Sequence, residues 1–214
     1  MDYRQFYDTK YSAGVKGFSP AFPRQMRFLL RWMTVPGGRR RVLDLGGGTG
    51  EYSLMLQRMG YDVTLYEISQ VAINHARSIG VTKTVYADFL EAPPTERFDI
   101  VLVKGFSPLN TDSRQLFDEV LGSIEAMLAP QGVVLYWGVT DLSGQWSDGG
   151  WFNWQAANLR LFFDDVLIFP ALRYQCVLPV WCNRRLSNAL SRCSVLPRPL
   201  TVVAYKQARK TSKA

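Results

Sequence analysis

Histidine and cysteine are nearly absent from this chain: among its 214 residues are one histidine, His75, and three cysteines, Cys176, Cys182 and Cys193. No two cysteines are spaced C-x-x-C, and a lone histidine cannot complete a ligand set, so no metal site is expected. An odd, sparse cysteine set also argues against a disulfide framework and fits a reducing cytoplasm. Long apolar runs are missing, since no stretch approaches the ~18 residues that span a bilayer. The start, from Met1 to Asp8, lacks the apolar core of a signal peptide. Acid is missing from one end. No Asp or Glu follows Asp165, while nine basic residues do, so the net charge of +7 divides into +9 beyond Asp165 and −2 before it. A basic C-terminal quarter suggests an anionic neighbour: a phosphorylated substrate, a nucleic acid or an acidic lipid surface. A solvated tail with scattered surface arginines would give the same count.

Apolar residues are plentiful, at 47% of the chain, and the length suits one domain with a sizeable core. The most informative stretch starts with a short apolar strand, Arg41 to Leu45, which carries Asp44. It breaks into Gly46, Gly47, Gly48, Thr49 and Gly50, then opens into an apolar-rich helix from Glu51 to Met59. Glycines at 46, 48 and 50 let the backbone turn sharply and press against a ligand, or simply allow a tight crossover. A dinucleotide fingerprint asks for glycine at its first, third and sixth positions, and the sixth position from Gly46 is Glu51. Asp44 would repel a pyrophosphate and welcome an ammonium or sulfonium group.

Further signals follow in order. Tyr61 to Tyr66 alternates toward a strand that stops at Glu67, 21 residues after Gly46, where a carboxylate is placed to accept both ribose hydroxyls. Ile68 behind it would cover one adenine face. Ser69 caps a helix that ends at Gly80. A third strand, Lys83 to Ala87, delivers Asp88 and Phe89, and a fourth, Phe98 to Val103, is followed by Lys104, Gly105, Phe106, Ser107 and Pro108. Asp44-x-Gly46-x-Gly48-x-Gly50, with these later elements, resembles the class I S-adenosylmethionine-dependent methyltransferases. The resemblance covers residues 40–140 by motif and the last two strands by pattern. It implies S-adenosylmethionine as cofactor and S-adenosylhomocysteine as product. It also implies that Asp88 bonds the adenine amino group, that Phe89 packs on the ring, and that the turn after Val103 faces the active site. In many related enzymes an N-terminal segment folds over the cofactor with a tyrosine touching it, a role that Tyr11 would fill.

Strands and helices alternate from residue 41 to about 170, which argues for a parallel sheet covered on both faces. The expected fold is α/β: a Rossmann-like, doubly wound sheet of seven strands, mostly parallel, with an antiparallel last strand. Helices are predicted over Pro20 to Met33, over Ser113 to Leu128 with Pro130 and Gly132 ending it, and over Phe152 to Phe163. Val133 to Val139, Asp165 to Phe169 and Leu200 to Tyr205 supply strands five to seven. One domain, 1–214, then divides into an N-terminal cap segment (1–38), the core (39–173), an insertion (174–199), and the last strand with a basic tail (200–214). Substrate choice should live outside the core. Candidate parts are the cap's tyrosines, the tryptophans at 137, 146, 151 and 154, and the insertion helix Val180 to Leu190. Arginines beside that helix's apolar face suit a membrane surface or docking on the domain.

Methyl transfer from a sulfonium needs mainly an oriented acceptor, and an oxygen acceptor also needs a base or a preorganised anion. Lys104 could lower an acceptor hydroxyl's pKa or touch the cofactor, and Asp141, just past strand five, could serve as base. His75 falls in the middle of its helix, away from the ligand edge. The Asn/Asp-Pro-Pro-Tyr/Phe motif of exocyclic amino-group methylation is absent after strand four. The expectation is a cytoplasmic methyltransferase acting on a small-molecule, sugar-linked or lipid-linked acceptor, at oxygen. The alternatives are an RNA methyltransferase gripping phosphates with the basic quarter, and a cofactor-binding protein without catalysis.

Overall fold

The computed structural model describes residues 2–14, 19–33, 40–140, 154–170, 172–190 and 200–208. Seven strands form one sheet in the order β3-β2-β1-β4-β5-β7-β6: β1 (Arg41–Leu45), β2 (Asp62–Glu67), β3 (Thr84–Tyr86), β4 (Phe98–Lys104), β5 (Leu128–Thr140), β6 (Asp165–Phe169) and β7 (Leu200–Gln207). The first five pair in parallel, and β7 runs antiparallel to both β5 and β6. Their near-continuous Val, Ile and Leu content reflects burial on both faces. On one face α5 (Arg114–Glu125) buries Phe117, Val120, Leu121 and Ile124 against the sheet. On the other, α2 (Phe22–Trp32) and α3 (Glu51–Arg58) bury Phe22, Met26, Leu29 and Leu56. The Ser69 hydroxyl caps α4 (Gln70–Ser78) by accepting from the Ala72 N–H at 3.2 Å, and Ser113 does the same for α5 through Leu116. No helix among the described residues is long and apolar enough to cross a membrane.

Two sequence expectations need correction. The helix predicted to reach Leu128 stops at Glu125, and Pro130 and Gly132 lie inside β5, where they shape a bulge. Register jumps there from Phe98↔Leu128 to Ile100↔Val133, with Gln131 at φ 65°. A Cβ on Gly132 would sit 2.8 Å from the Phe98 carbonyl oxygen. Proline is tolerated in a strand at such an irregularity, so the helix-stop signal marks a bulge. The second correction concerns Phe152 to Phe163, whose described part is helical only as α6 (Ala156–Leu159). Phe162 and Phe163 both turn to Phe117, with ring centroids at 4.7 and 6.3 Å. Consecutive residues of a helix point about 100° apart, so the chain unwinds to bury both.

Two helices outside the core complete the chain's described part: α1 (Tyr3–Ser12) and, after the short α7 (Leu172–Gln175), α8 (Val180–Leu190). α8 has the predicted bounds and docks on the domain. Its Ser187 hydroxyl accepts from the Ile168 N–H at 3.0 Å, closing the outer edge of β6, and its Asn183 amide donates to the carbonyls of Gln175, Leu178 and Pro179.

Candidate active site

At the carboxyl ends of β1, β2 and β4 lies a cavity of about 330 Å³, within the range of small-molecule sites. Its floor begins where β1 gives way to the glycine loop. The Gly46 N–H donates to the Tyr66 carbonyl at 2.8 Å, tying the loop to β2. Gly46 and Gly48 take φ of 68° and 57°, which side chains resist. A Cβ on Gly46 would lie 2.8 Å from the Phe106 ring, and one on Gly48 would lie 2.9 Å from the Tyr11 hydroxyl. Gly50 does other work. Its Cβ would meet the Cβ of Ala76 at 2.7 Å, so this glycine lets α3 pack on α4 rather than opening space for a ligand.

Glu67 ends β2 at only 4% exposure and lines the cavity. It accepts from the N–H groups of Gly48 (2.9 Å), Ile68 (2.9 Å) and Ser69 (3.0 Å). Burial pushes its pKa up, and these three donors oppose the shift. A carboxylate has about four acceptor positions, so one remains for a ligand hydroxyl. Ile68, Asp88 and Phe89 line the same cavity, and Phe106 faces Phe89 edge-on with ring centroids 5.6 Å apart. One Asp88 oxygen accepts from the Leu90 N–H at 2.9 Å.

Helix α1 lies over this cavity. Tyr3, Tyr7 and Tyr11, spaced by four and so on one helical face, all line it. Asp8 accepts from the Ser69 hydroxyl at 2.5 Å and the Val71 N–H at 3.2 Å, while Tyr7 and Ser107 are joined through their hydroxyls. Arg4 pairs with Glu91 at 2.8 Å. Burial pushes the Tyr11 hydroxyl upward, with Glu67 adding to it, so this phenol stays protonated. Of these residues the sequence reading singles out Tyr11, which lines the cavity. The four-residue spacing of Tyr3, Tyr7 and Tyr11 was the available signal. Asp8 to Ser69 and Tyr7 to Ser107 span 61 and 100 residues, and nothing local announces them.

Asp44 and Lys104 do not line the cavity. Asp44 sits beneath the loop, 2% exposed, and accepts from the Ser53 hydroxyl at 2.6 Å. Burial pushes its pKa up to about 6 against the pull of Ser53 and the Lys104 charge. The carboxylate read as open to a cationic ligand is therefore turned inward, against α3. Lys104 lies on the same side of the sheet, its Nζ 4.6 Å from the Tyr52 ring centroid and 5.9 Å from that of Trp137. It has no ion-pair partner among the described residues. Asp141, Trp146 and Trp151 lie outside the described residues. His75, in the last turn of α4, stands 3.5 Å from Glu51.

A parallel sheet with a glycine turn after β1, a buried carboxylate ending β2 and an acid after β3 defines the Rossmann-like methyltransferase class. A family model described as a methyltransferase domain matches residues 3–161, and the chain belongs to that family. Among curated proteins, none matches the sequence. Solved structures share the fold. The N-methyltransferase NodS from Bradyrhizobium japonicum, bound to S-adenosylhomocysteine, is 14% identical with a TM-score of 0.58, over 89% of this chain and 88% of that one. A TehB-like S-adenosylmethionine-dependent methyltransferase from Corynebacterium glutamicum is 15% identical with a TM-score of 0.56, over 96% of both. The 1,6-didemethyltoxoflavin-N1-methyltransferase from Burkholderia thailandensis is 18% identical with a TM-score of 0.55, over 88% and 78%. The chain carries a methyltransferase domain, and similar structures of the same fold are named as S-adenosylmethionine-dependent or are bound to S-adenosylhomocysteine. The residues present fit that cofactor. Glu67 and Asp88 line the cavity with acceptor oxygens that would suit a ribose hydroxyl and an amino group, and Ile68, Phe89 and Phe106 line it with apolar surface that would suit a ring.

Proposed function

We propose that this enzyme methylates a small-molecule acceptor, free or linked to a sugar or lipid, at oxygen. The observation that carries the reading is the roof. Helix α1 crosses the cavity and is tied down on both sides, at Ser69 and at Ser107, which favours a small acceptor over a duplex or a folded protein. The placement of Arg184 and Arg185 supports it as well. β6 and β3 are the two ends of the sheet, and α8, with Arg184 and Arg185, lies along β6, while the cavity lies toward β2 and β3. A phosphate-gripping surface built on these two arginines would sit away from the site it is meant to serve.

In this reading Glu67 and Asp88 orient the nucleoside, Tyr7 and Tyr11 exclude water above it, and the glycine loop sets the cofactor's depth. When bound, S-adenosylmethionine supplies an electrophilic methyl group on a sulfonium. Lys104 ends β4 with its ammonium over the Tyr52 and Trp137 rings, outside the cavity lining and without a carboxylate partner among the described residues, so it holds an acceptor oxygen as its anion only if the side chain swings into the cavity when the acceptor binds. Lys104→Met is expected to lower kcat ~100-fold while leaving S-adenosylhomocysteine affinity within about twofold, measured by methyl-transfer assay and calorimetry. A loss of cofactor affinity without the kcat loss would move Lys104 to the cofactor side.

A second reading places the methyl on nitrogen. Four of the similar structures are N-methyltransferases by name, and burial keeps Tyr7 and Tyr11 protonated and unfit as bases. An amine carries its own lone pair. In that case the rate follows the acceptor amine's own ionisation with pH, and Lys104→Met leaves kcat nearly unchanged.

A further inference from the structure

The insertion carries a surface that methyl transfer does not use. Val177 is 64% exposed and Trp181 60%, and Leu178 stands exposed between them. Large apolar side chains exposed together in this way mark an interaction site. On α8, Asn183 and Ser187 face the domain, so Trp181 and Arg185, one turn apart, share the outward face, with the Arg185 guanidinium 5.4 Å from the Trp181 ring centroid. The direction of α8 fixes where this patch sits. Arg184 bonds Asp165 at the start of β6, and Ser187 bonds Ile168 near its end, so the helix runs parallel to the strand. Trp181 therefore lies at the amino ends of the parallel strands, the edge of the sheet opposite the cavity.

The charge around the patch is mostly positive. No acid follows Asp165 in sequence. Of the acids at the start of β6, Asp165 accepts from the Trp32 indole (2.9 Å) and pairs with Arg184, and Asp164 accepts from the Gln207 N–H (2.8 Å). We propose that Val177, Leu178, Trp181 and Arg185 form a docking face for an anionic lipid bilayer. Each feature has its place there. The indole sits at headgroup depth, the aliphatic side chains reach the acyl boundary, and the guanidinium meets lipid phosphate. A second copy of the chain would bring like charge against like, and nucleic acid has no use for exposed Val and Leu. Bound this way, the enzyme holds its cavity away from the membrane, so the contact recruits the protein and does not deliver the acceptor.

The test is flotation of the full-length protein with vesicles of phosphatidylcholine alone and with about one third phosphatidylglycerol, at low salt and at ~0.5 M salt. Binding is expected only to the anionic vesicles and is expected to weaken with salt. Leu178→Ser with Trp181→Ser should lower the partition coefficient at least ~10-fold, and Arg185→Ala roughly fivefold, with S-adenosylhomocysteine affinity unchanged in both. Absence of binding to anionic vesicles, or binding that both variants retain in full, overturns the proposal. So does a wild-type dimer in light scattering that the Leu178/Trp181 variant dissolves, because the patch is then an interface between copies.

Discussion

Asp44 and Glu67 are two buried carboxylates on neighbouring strands with opposite surroundings. Glu67 is held by three backbone N–H groups, whereas Asp44 has the Ser53 hydroxyl as its hydrogen-bond donor and the Lys104 charge nearby. A carboxyl held at about 6 in place of its ordinary 3.8 costs folding roughly 3 kcal/mol at neutral pH. The sign follows from proton binding. Between about pH 4 and pH 6 the native protein keeps a proton that the unfolded chain has lost, so stability falls as pH rises through that window. Asp44→Asn keeps the shape and the acceptor for Ser53 but removes the charge. It is expected to be more stable than the parent above pH 6, by up to ~3 kcal/mol, and equal to it below pH 4, in melts run across that range. A gain that does not change with pH would place the cost elsewhere. The residue pattern in the sequence located Asp44, Gly46 and Glu67 in the chain but not their orientation. Alternation along β1 told that Asp44 and Leu45 point to opposite faces, yet only the position of α3 decides that Asp44 looks into protein. Gly50 has the same history: its spacing joins it to the loop, and its neighbour Ala76 makes it a packing residue.

The elements of the core were legible because each carries its own signal. Apolar runs bounded by glycine or acid gave the strands, and Ser69 and Ser113 marked helix starts. Elements were misjudged where long-range packing outweighs local preference, as at the Pro130 bulge against Phe98 and the Phe162 and Phe163 pair around Phe117. Helix α1 shows a further limit. Its tyrosine spacing announces a face, but its residues are at most partly buried, and its placement rests on polar contacts to Ser69, Val71, Glu91 and Ser107. An element held this way opens at little cost. Tyr7→Phe combined with Asp8→Ala removes hydrogen bonds on both sides of the roof, each worth about 0.5–1.5 kcal/mol. Stopped-flow measurement should show S-adenosylhomocysteine leaving ~10-fold faster, while the melting temperature stays nearly that of the parent, because no core contact is lost. A large fall in melting temperature with unchanged release would make α1 a structural brace instead of a roof.

Taken whole, the molecule separates its tasks along the sheet. The cavity gathers groups from α1, the glycine loop, the end of β2, the turn after β3 and the segment after β4, while α8 with Arg184 and Arg185 occupies the far end. A ligand that touches five separate segments links their opening equilibria, since every segment that must stay closed for binding shares the binding free energy. At a ligand concentration 100 times Kd that free energy is about 2.7 kcal/mol. Segments whose own opening costs less than the global unfolding therefore gain nearly this much, and those remote from the cavity gain only if they open by unfolding the whole domain. Hydrogen exchange with and without S-adenosylhomocysteine reads this directly. Amides of α1 and of residues 46–50, 67–69 and 88–90 are expected to slow by up to ~100-fold, and those of α8 to stay unchanged. Equal slowing in α8 would mean that the fold opens only as one unit and that the two ends of the sheet are coupled. Unchanged exchange in α1 would mean that the tyrosine face does not close on the cofactor, and the roofed site on which the small-acceptor reading rests would have to be given up.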